Sequence, residues 1–455
     1  MSESALDQCF GWRWLLPLGS TRSFGLYGFD SEEESFWEKV ITVAGLVRKA
    51  GNAEVLLINA DRTAEYGSLS TGEISTAQVI CVIAGRQTAQ RWRVDLAAQF
   101  PLLQEYSLMP AGGPRVVVPL DSWRQAVAGL CLHRPGRWVG RLGLLAASGL
   151  ARIGNLVLLR KRVLILASRE RHCVPQGAQR AGLFERYGGQ ETNYALYLGT
   201  PDDNRKTVVL PIGSSPLGVI LKVAETPRAR ASLANEASAL EALRQSAIAS
   251  CVPKLAHMVA SGDTLTLYQE YRLRRRAGKR RMGISVVEFL AQLSLIDRQP
   301  APLLDHLETL PLAPFFDLPD EYALACSALH ARLLVLADAG EKVWLNRTHG
   351  DFAPWNCAWT DRGFFVYDWE ESRPLDLALG DAFSYVIAPA RLLQRNVNVS
   401  QTLIATLGFA DRVATAGGYT TAPDTHVYLV LWLLRRVHQP GLYGDLLVLL
   451  ERNWR

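Results

Sequence analysis

Short apolar runs alternate with mixed, helix-compatible stretches across roughly the first quarter of the chain. Residues 24–29, 40–44, 54–60, 78–84 and 115–120 each read as buried strands. Between them residues 31–39 have the look of a helix, with Ser31 as a candidate cap and Glu32, Glu33 and Glu34 suited to the positive helix start. Strands alternating with helices predict a three-layer α/β domain with a parallel sheet over residues 1–130.

Residues 142–159 form an apolar stretch bracketed by Arg134, Arg137 and Arg141 on one side and Arg160, Lys161 and Arg162 on the other. Its length suits a membrane span, but Arg152 and Asn155 lie inside it and Gly143, Gly149 and Gly154 weaken a helix. A helix buried between domains is the leading reading, and an amphipathic helix at an anionic membrane surface through 134–162 stays open beside it. Residues 131–172 are therefore expected to connect two domains. A second domain follows: residues 219–223 and 265–271 are β-rich, residues 230–244 are helix formers, and residues 424–437 read as a late helix.

Composition changes this picture little. The chain has 455 residues, enough for two or three domains, and 49% hydrophobic against 20% charged positions marks it as mostly folded. Forty-nine Lys+Arg against forty-four Asp+Glu leave +5, no sign of a dedicated nucleic-acid binder. The strongest local cluster is the run of Arg and Lys at 272–281, a solvated loop or a site for an anionic substrate or lipid headgroup. Seven scattered cysteines without a C-x-x-C pair suggest reduced thiols rather than a disulfide framework or a zinc site. With Glu3 and Asp7 where a secretory signal wants basic residues, a cytoplasmic location is expected, with peripheral contact to the inner membrane face left open.

The chemistry concentrates at His349-Gly350-Asp351-Phe352-Ala353-Pro354-Trp355-Asn356, followed by two strand-like runs around Asp361-Arg362-Gly363 and then Asp368. A three-residue hairpin loop places Thr360 opposite Phe364 and Cys357 opposite Tyr367, so Asn356 is expected opposite Asp368. Opposed residues have Cα atoms ~4.5–5.5 Å apart, close enough for an amide oxygen and a carboxylate to share a hard cation. Asp351, in the loop just before, can return to the same mouth. Phosphoryl transfer needs a metal, a carboxylate to take the hydroxyl proton, and firm positioning, and this cluster offers those parts.

H-G-D-x-x-x-x-N with a following hairpin and Asp368-Trp369-Glu370 resembles the catalytic segment of the aminoglycoside phosphotransferase and choline kinase family, relatives of the protein kinases. The resemblance implies an α+β bilobal kinase-like domain, with a small lobe over 173–272 and a large lobe over 273–455. It implies Asp351 as catalytic base, Asn356 and Asp368 as Mg²⁺ ligands, His349 as a structural residue, and Asp376 and Asp381 as residues that order loops or cap helices. It further implies ATP as phosphoryl donor, Lys222 paired with Glu236 at its α/β-phosphates, and backbone groups near Gln269, Glu270 and Tyr271 at its adenine. Gly188, Gly189 and Asn193 resemble the family's phosphate turn loosely; a plain hairpin turn is the alternative, and residues 199–216 look like an insertion.

The expected activity is an ATP- and Mg²⁺-dependent transfer to a hydroxyl of a small molecule, a sugar, an amino alcohol or a polysaccharide precursor. The alternative is a weakly catalytic kinase-like module with a scaffolding N-terminal domain. That first domain looks faintly like a methyltransferase-type Rossmann domain, yet Phe29-Asp30-Ser31-Glu32 has no glycine-rich turn after the first strand, and cofactor binding or a docking role both stay open.

Overall fold

The computed structural model describes residues 11–16, 23–43, 47–49, 53–62, 71–109, 114–130, 146–152, 156, 159–169, 193–199, 202–212, 218–272, 285–310, 318–360, 362–393, 396–419, 424–437, 439 and 441–454. The chain divides into two compact units, Met1–Arg230 with Ala256–Glu270, and Ala231–Leu255 with Tyr271–Arg455.

The first unit is built on one twelve-stranded sheet. Its strands are β1 (Ser23–Tyr27), β2 (Val47–Arg48), β3 (Val55–Asn59), β4 (Val79–Gly85), β5 (Leu102–Met109), β6 (Val116–Pro119), β7 (Arg162–Ser168), β8 (Asn193–Tyr197), β9 (Lys206–Ile212), β10 (Val219–Ala224), β11 (Leu255–Ser261) and β12 (Thr264–Glu270). Their order is β11-β12-β10-β9-β8-β6-β5-β7-β4-β3-β1-β2. Among its described residues are helices α1 (Ser31–Val43), α2 (Thr71–Thr76), α3 (Arg86–Ala97) and α4 (Trp123–Leu130). Alternate side chains go to opposite faces: Val55 and Leu57 pack with Phe36 and Trp37 of α1, whereas Leu56 and Ile58 pack with Trp92 and Leu96 of α3.

The expected parallel sheet is only partly present. β2, β1, β3 and β4 run parallel, but β7 enters antiparallel between β4 and β5, and β6 pairs antiparallel with β5. The sheet is mixed, so the Rossmann-like fold expected for residues 1–130 is not confirmed. Nor does that region end at an edge. β6 pairs with β8 through Val116 with Tyr197 and Val117 with Leu196, so strands expected in separate domains share one sheet and each covers what would otherwise be an open edge. Arg162–Ser168, expected in the connecting segment, is buried at the centre of this sheet.

Three local expectations also shift. Residues 40–43, expected as a strand, continue α1, because a β-branched run is compatible with either period when only four residues long. The cap of α1 is Asp30, one residue earlier than expected: its Oδ1 accepts the Glu33 N–H at 3.0 Å and Glu33 Oε2 accepts the Asp30 N–H at 3.1 Å. Residues 199–216 contain β9, an ordinary strand between β8 and β10, in place of the expected insertion. Of the apolar stretch at 142–159 only parts are described; Ala151 and Leu159 pack with Val118 and Leu130. No helix among the described residues is long and apolar enough to cross a membrane.

The second unit carries most of α5 (Pro227–Leu243), then α6 (Val286–Leu293), β13 (Gln299–Pro302), α7 (Leu303–Glu308), α8 (Asp320–Asp338), β14 (Lys342–Thr348), the hairpin β15 (Cys357–Thr360) and β16 (Gly363–Val366), β17 (Arg373–Leu377), α9 (Gly380–Leu393), α10 (Val399–Ala416), α11 (Thr425–Leu434) and α12 (Leu442–Asn453). β13-β14-β17 form a small antiparallel sheet. The core is helical and aromatic, with Phe289, Phe352, Trp369 and Phe383 fully buried. The late helix expected near 424–437 is α11, capped by Asp424, whose Oδ1 accepts the His426 N–H at 2.9 Å.

Candidate active site

β14 delivers the chain into His349-Gly350-Asp351 and the hairpin β15–β16 carries it away again. Gly350 has φ +87°, and an added Cβ there would collide with the carbonyl oxygen of Glu371, so this turn admits only glycine. The loop's backbone is held by a buried carboxylate. Asp381, in the first turn of α9, accepts the His349 N–H at 2.6 Å and the Gly350 N–H at 3.0 Å. Burial pushes the Asp381 carboxyl up to about 7 against the pull of those two bonds.

His349 is buried among Phe352 and Trp369, with ring centroids 5.8 Å and 4.7 Å away. Its Nδ1 accepts the Asp351 N–H at 3.3 Å, which assigns the proton to Nε2, and Nε2 donates to the Tyr367 carbonyl at 2.7 Å. The imidazole thus ties the loop to the strand returning from the hairpin, the structural role expected for it.

The Asn356 amide closes the loop on itself. Its Nδ2 donates to the Asp351 carbonyl at 2.8 Å and to Asp351 Oδ2 at 2.9 Å. Asp351 keeps access to solvent, while protein crowded around the carboxyl raises its pKa above the ordinary carboxylate value. The Asn356 bond opposes that rise, and the charges of Asp368 and Glu371 add to it.

The hairpin register differs by one residue from expectation. Thr360 pairs with Gly363 and Cys357 with Val366, so the connection is the two residues 361–362 and Gly363, at φ +110°, begins the second strand. Asn356 therefore stands opposite Tyr367, whose N–H donates to its carbonyl at 2.8 Å, and Asp368 comes one step later. Asp368 adopts φ +69°, unusual for a residue with a side chain, so the chain turns at this residue. The structure nonetheless brings Asp351, Asn356 and Asp368 to one end of the hairpin.

Residues that the sequence did not single out hold the turn after Asp368. On α5, Asn235 Nδ2 donates to the carbonyls of Glu370 at 2.7 Å and Ser372 at 2.9 Å, and the Ser232 hydroxyl donates to Glu370 Oε2 at 3.1 Å. Ser372 donates to the Thr348 carbonyl at 2.7 Å, closing the ring back to β14. Arg272, the first of the basic run, is buried rather than solvated. Its guanidinium lies 4.1 Å from the centroid of Phe365 and donates to the Ser250 carbonyl at 2.9 Å, while its own carbonyl accepts the Tyr367 hydroxyl at 2.9 Å. The remainder of that run, 273–281, lies outside the described residues. Asp376, on β17, accepts Arg435 at 2.7 Å.

Of the expected nucleotide-binding residues, Lys222 is buried on β10 of the first unit and Glu236 is buried on α5 in the second. Gln269 and Glu270 pair with Ile220 and Val219 at the end of β12, and Tyr271 follows the strand. Asn193 opens β8 rather than sitting in a turn. Its amide is held by Asp121 at 2.5 Å and Gln125 at 3.2 Å, and its Oδ1 accepts from Gln104 and Tyr106. Gly188 and Gly189 lie outside the described residues.

No group of three or more His, Cys, Asp and Glu side chains that could hold a metal occurs among the described residues. The donor chemistry of Asn356 and Asp368 fits Mg²⁺: the Asn356 nitrogen is spent on Asp351, so its amide oxygen and the Asp368 carboxylate are the oxygens that would hold a hard cation, which needs only one or two from protein.

Residues 202–379 match the model of the phosphotransferase enzyme family, APH. The matched stretch contains Lys222, Glu236, Asp351, Asn356 and Asp368 and begins after Gly188, Gly189 and Asn193. No curated protein sequence matches the chain. Among solved structures it is similar to ADP-bound aminoglycoside phosphotransferase APH(2'')-Ib, at 14% identity and a TM-score of 0.35 over 59% of this chain and 96% of that one. It is also similar to a thermostable mutant of aminoglycoside phosphotransferase APH(4)-Ia, at 12% identity and a TM-score of 0.35 over 60% and 99%. A third is amicoumacin kinase hAmiN in complex with AMP-PNP, Ca²⁺ and Ami, at 14% identity and a TM-score of 0.36 over 62% and 87%.

Proposed function

We propose that this protein is a small-molecule kinase that transfers the γ-phosphoryl group of ATP to a hydroxyl. The observation that carries the reading is the Asp351–Asn356 contact inside a loop whose backbone is fixed by Asp381. A carboxylate that serves as base for a hydroxyl must be held in one orientation yet open to the acceptor, and Asp351 meets both conditions. Asn356 and Asp368 would hold Mg²⁺, which when bound neutralises phosphate charge. Asp351 receives the proton from the acceptor hydroxyl, and the Asn356 amide keeps its Oδ2 oriented while that happens. His349 supports the loop through Tyr367. Lys222 and Glu236, with the backbone near Gln269, Glu270 and Tyr271, are the proposed nucleotide-binding residues.

The test is ADP release from ATP with a panel of sugars, amino alcohols and polysaccharide precursors, with and without Mg²⁺. Magnesium-dependent, acceptor-dependent release supports the reading. Nucleotide binding without transfer to any acceptor would favour the kinase-like binding module instead.

A further inference from the structure

Behind the anchor of the Asp351 loop lies a cavity of ≈ 20 Å³, walled on its apolar side by residues that include Leu293 and Val413 and on its polar side by Ser294, Asn346, Thr348 and Asp381. It is larger than the ~10–15 Å³ that one water needs. Two of its polar side chains each keep one buried atom without a hydrogen-bond partner. Asn346, 4% exposed, spends its Nδ2 on the Arg347 carbonyl at 2.5 Å and leaves Oδ1 unbonded; Thr348, 3% exposed, has an unbonded hydroxyl. Ser294 donates its hydroxyl hydrogen to the Ala291 carbonyl at 2.7 Å, so it presents only lone pairs. Asp381 accepts one backbone N–H on each oxygen and has acceptor capacity left over.

The wall is thus rich in acceptors and holds one hydroxyl free to donate. A buried amide oxygen left without a donor is costly, so this site calls for a small guest with two hydrogens and a lone pair. We infer that the cavity binds a single internal water, which donates to Asn346 Oδ1 and to the Asp381 carboxylate and accepts from the Thr348 hydroxyl. The water joins β14 and α9 behind the loop and makes Asn346 and Thr348 positioning residues for it, acting through Asp381. Donation to the carboxylate favours its ionised form, the form that accepts both loop N–H groups. The charged groups that act on Asp381 are Asp376, which raises its pKa, and Arg436, which lowers it. The residues that α6, β14 and α10 contribute to the cavity are uncharged.

The site does not depend on phosphoryl transfer, and its test needs no activity. High-resolution crystals of the full chain are grown with Rb⁺, for the unaltered protein and for Thr348→Val, and the Asp381 carboxyl is titrated in both by ¹³C NMR. A peak about 2.6–3.2 Å from Asn346 Oδ1 and Thr348 Oγ1, without Rb⁺ anomalous signal, supports the water. In Thr348→Val the peak is expected to vanish and the Asp381 titration to move up by about half a unit or more, with Thr348→Ser restoring both. An empty cavity, an Rb⁺ signal in it, or superimposable titrations of the unaltered protein and Thr348→Val would each overturn the inference. If Thr348→Val does not fold, the density in the unaltered protein alone decides.

Discussion

Asn356 holds Asp351 twice, donating one amide group to its carbonyl at 2.8 Å and to its carboxylate at 2.9 Å. The two residues are five apart, and the bond turns the loop between them into a small closed ring with the exposed carboxylate on its rim.

Replacing the carboxylate isolates its part in the chemistry. Asp351→Asn is expected to keep nucleotide affinity and to lower kcat by about 10²–10⁴-fold, the usual contribution of a general base. In the unaltered protein Asp351 must be ionised to accept a proton, and its pKa is raised. Activity is therefore expected to fall on the acid side at a pH above the ordinary carboxylate range. Steady-state ADP release across pH checks both points, and turnover by Asp351→Asn equal to the unaltered protein would remove Asp351 from the base role.

Changing the partner tests the ring itself. Asn356→Asp keeps an oxygen for the metal but replaces the amide donor with a second carboxylate beside Asp351. Like charges so close raise the pKa of the pair, so the acid limb of the rate profile is expected to move up by about one unit or more. An unmoved limb, with transfer still measurable, would mean the Asn356 bond does not set the ionisation of Asp351.

Gly350→Ala strains the loop without touching a reactive group. The residue sits at φ +87°, and a methyl group there meets the Glu371 carbonyl. Positive φ alone costs a non-glycine residue about 1 kcal/mol or more, and the collision adds to it. A lower melting temperature and a loss of transfer at least as large as that of Asp351→Asn are expected. Calorimetry together with the ADP assay reads both effects.

Much of this was legible in the chain because it is local. The loop motif, the hairpin and the strands around Lys222 and Gln269 announce themselves by residue type and period. The register was not. Asp361-Arg362-Gly363 suits a loop of two or three residues, and only pairing across the hairpin decides that Gly363 belongs to β16. Sheet direction failed for a similar reason. An apolar run such as 115–120 reads the same in either direction, and β6 is antiparallel because of the strands it meets on either side. The sequence singled out Asp381 as a residue that orders loops, but Asn235 and Ser232 carried no signal, since their partners lie more than a hundred residues away.

Asn235 offers a test of that hidden support. It bonds two carbonyls of the turn that follows Asp368, so Asn235→Ala leaves the side chains proposed to hold Mg²⁺, Asn356 and Asp368, unaltered and loosens the segment carrying one of them. Loss of hydrogen bonds of this kind costs roughly 0.5–1.5 kcal/mol each. The expected outcome is a several-fold rise in the Mg²⁺ concentration needed for half-maximal transfer, with little change once Mg²⁺ is saturating. A Mg²⁺ titration of the rate separates this from a simple loss of fold, which would lower the saturated rate as well.

Asp381 makes stability depend on pH in a direction opposite to that of a salt-bridged carboxylate. Its pKa is about 7 in the folded chain against 3.8 for the free group, so between those values the folded state binds the proton and the unfolded state does not. Stability contributed in this way is present below pH 4 and is lost as pH rises toward 7, after which it levels. Asp121 and Asp351 are also raised and act in the same direction, so the comparison must be with a variant rather than with pH alone. Asp381→Asn cannot titrate at this position and still presents one oxygen to the loop. Its melting temperature is expected to lie below that of the unaltered protein at pH 5 and to decline less between pH 5 and 7. Equal slopes in the two proteins, measured by calorimetry at matched ionic strength, would show that the buried carboxyl is ionised throughout that range.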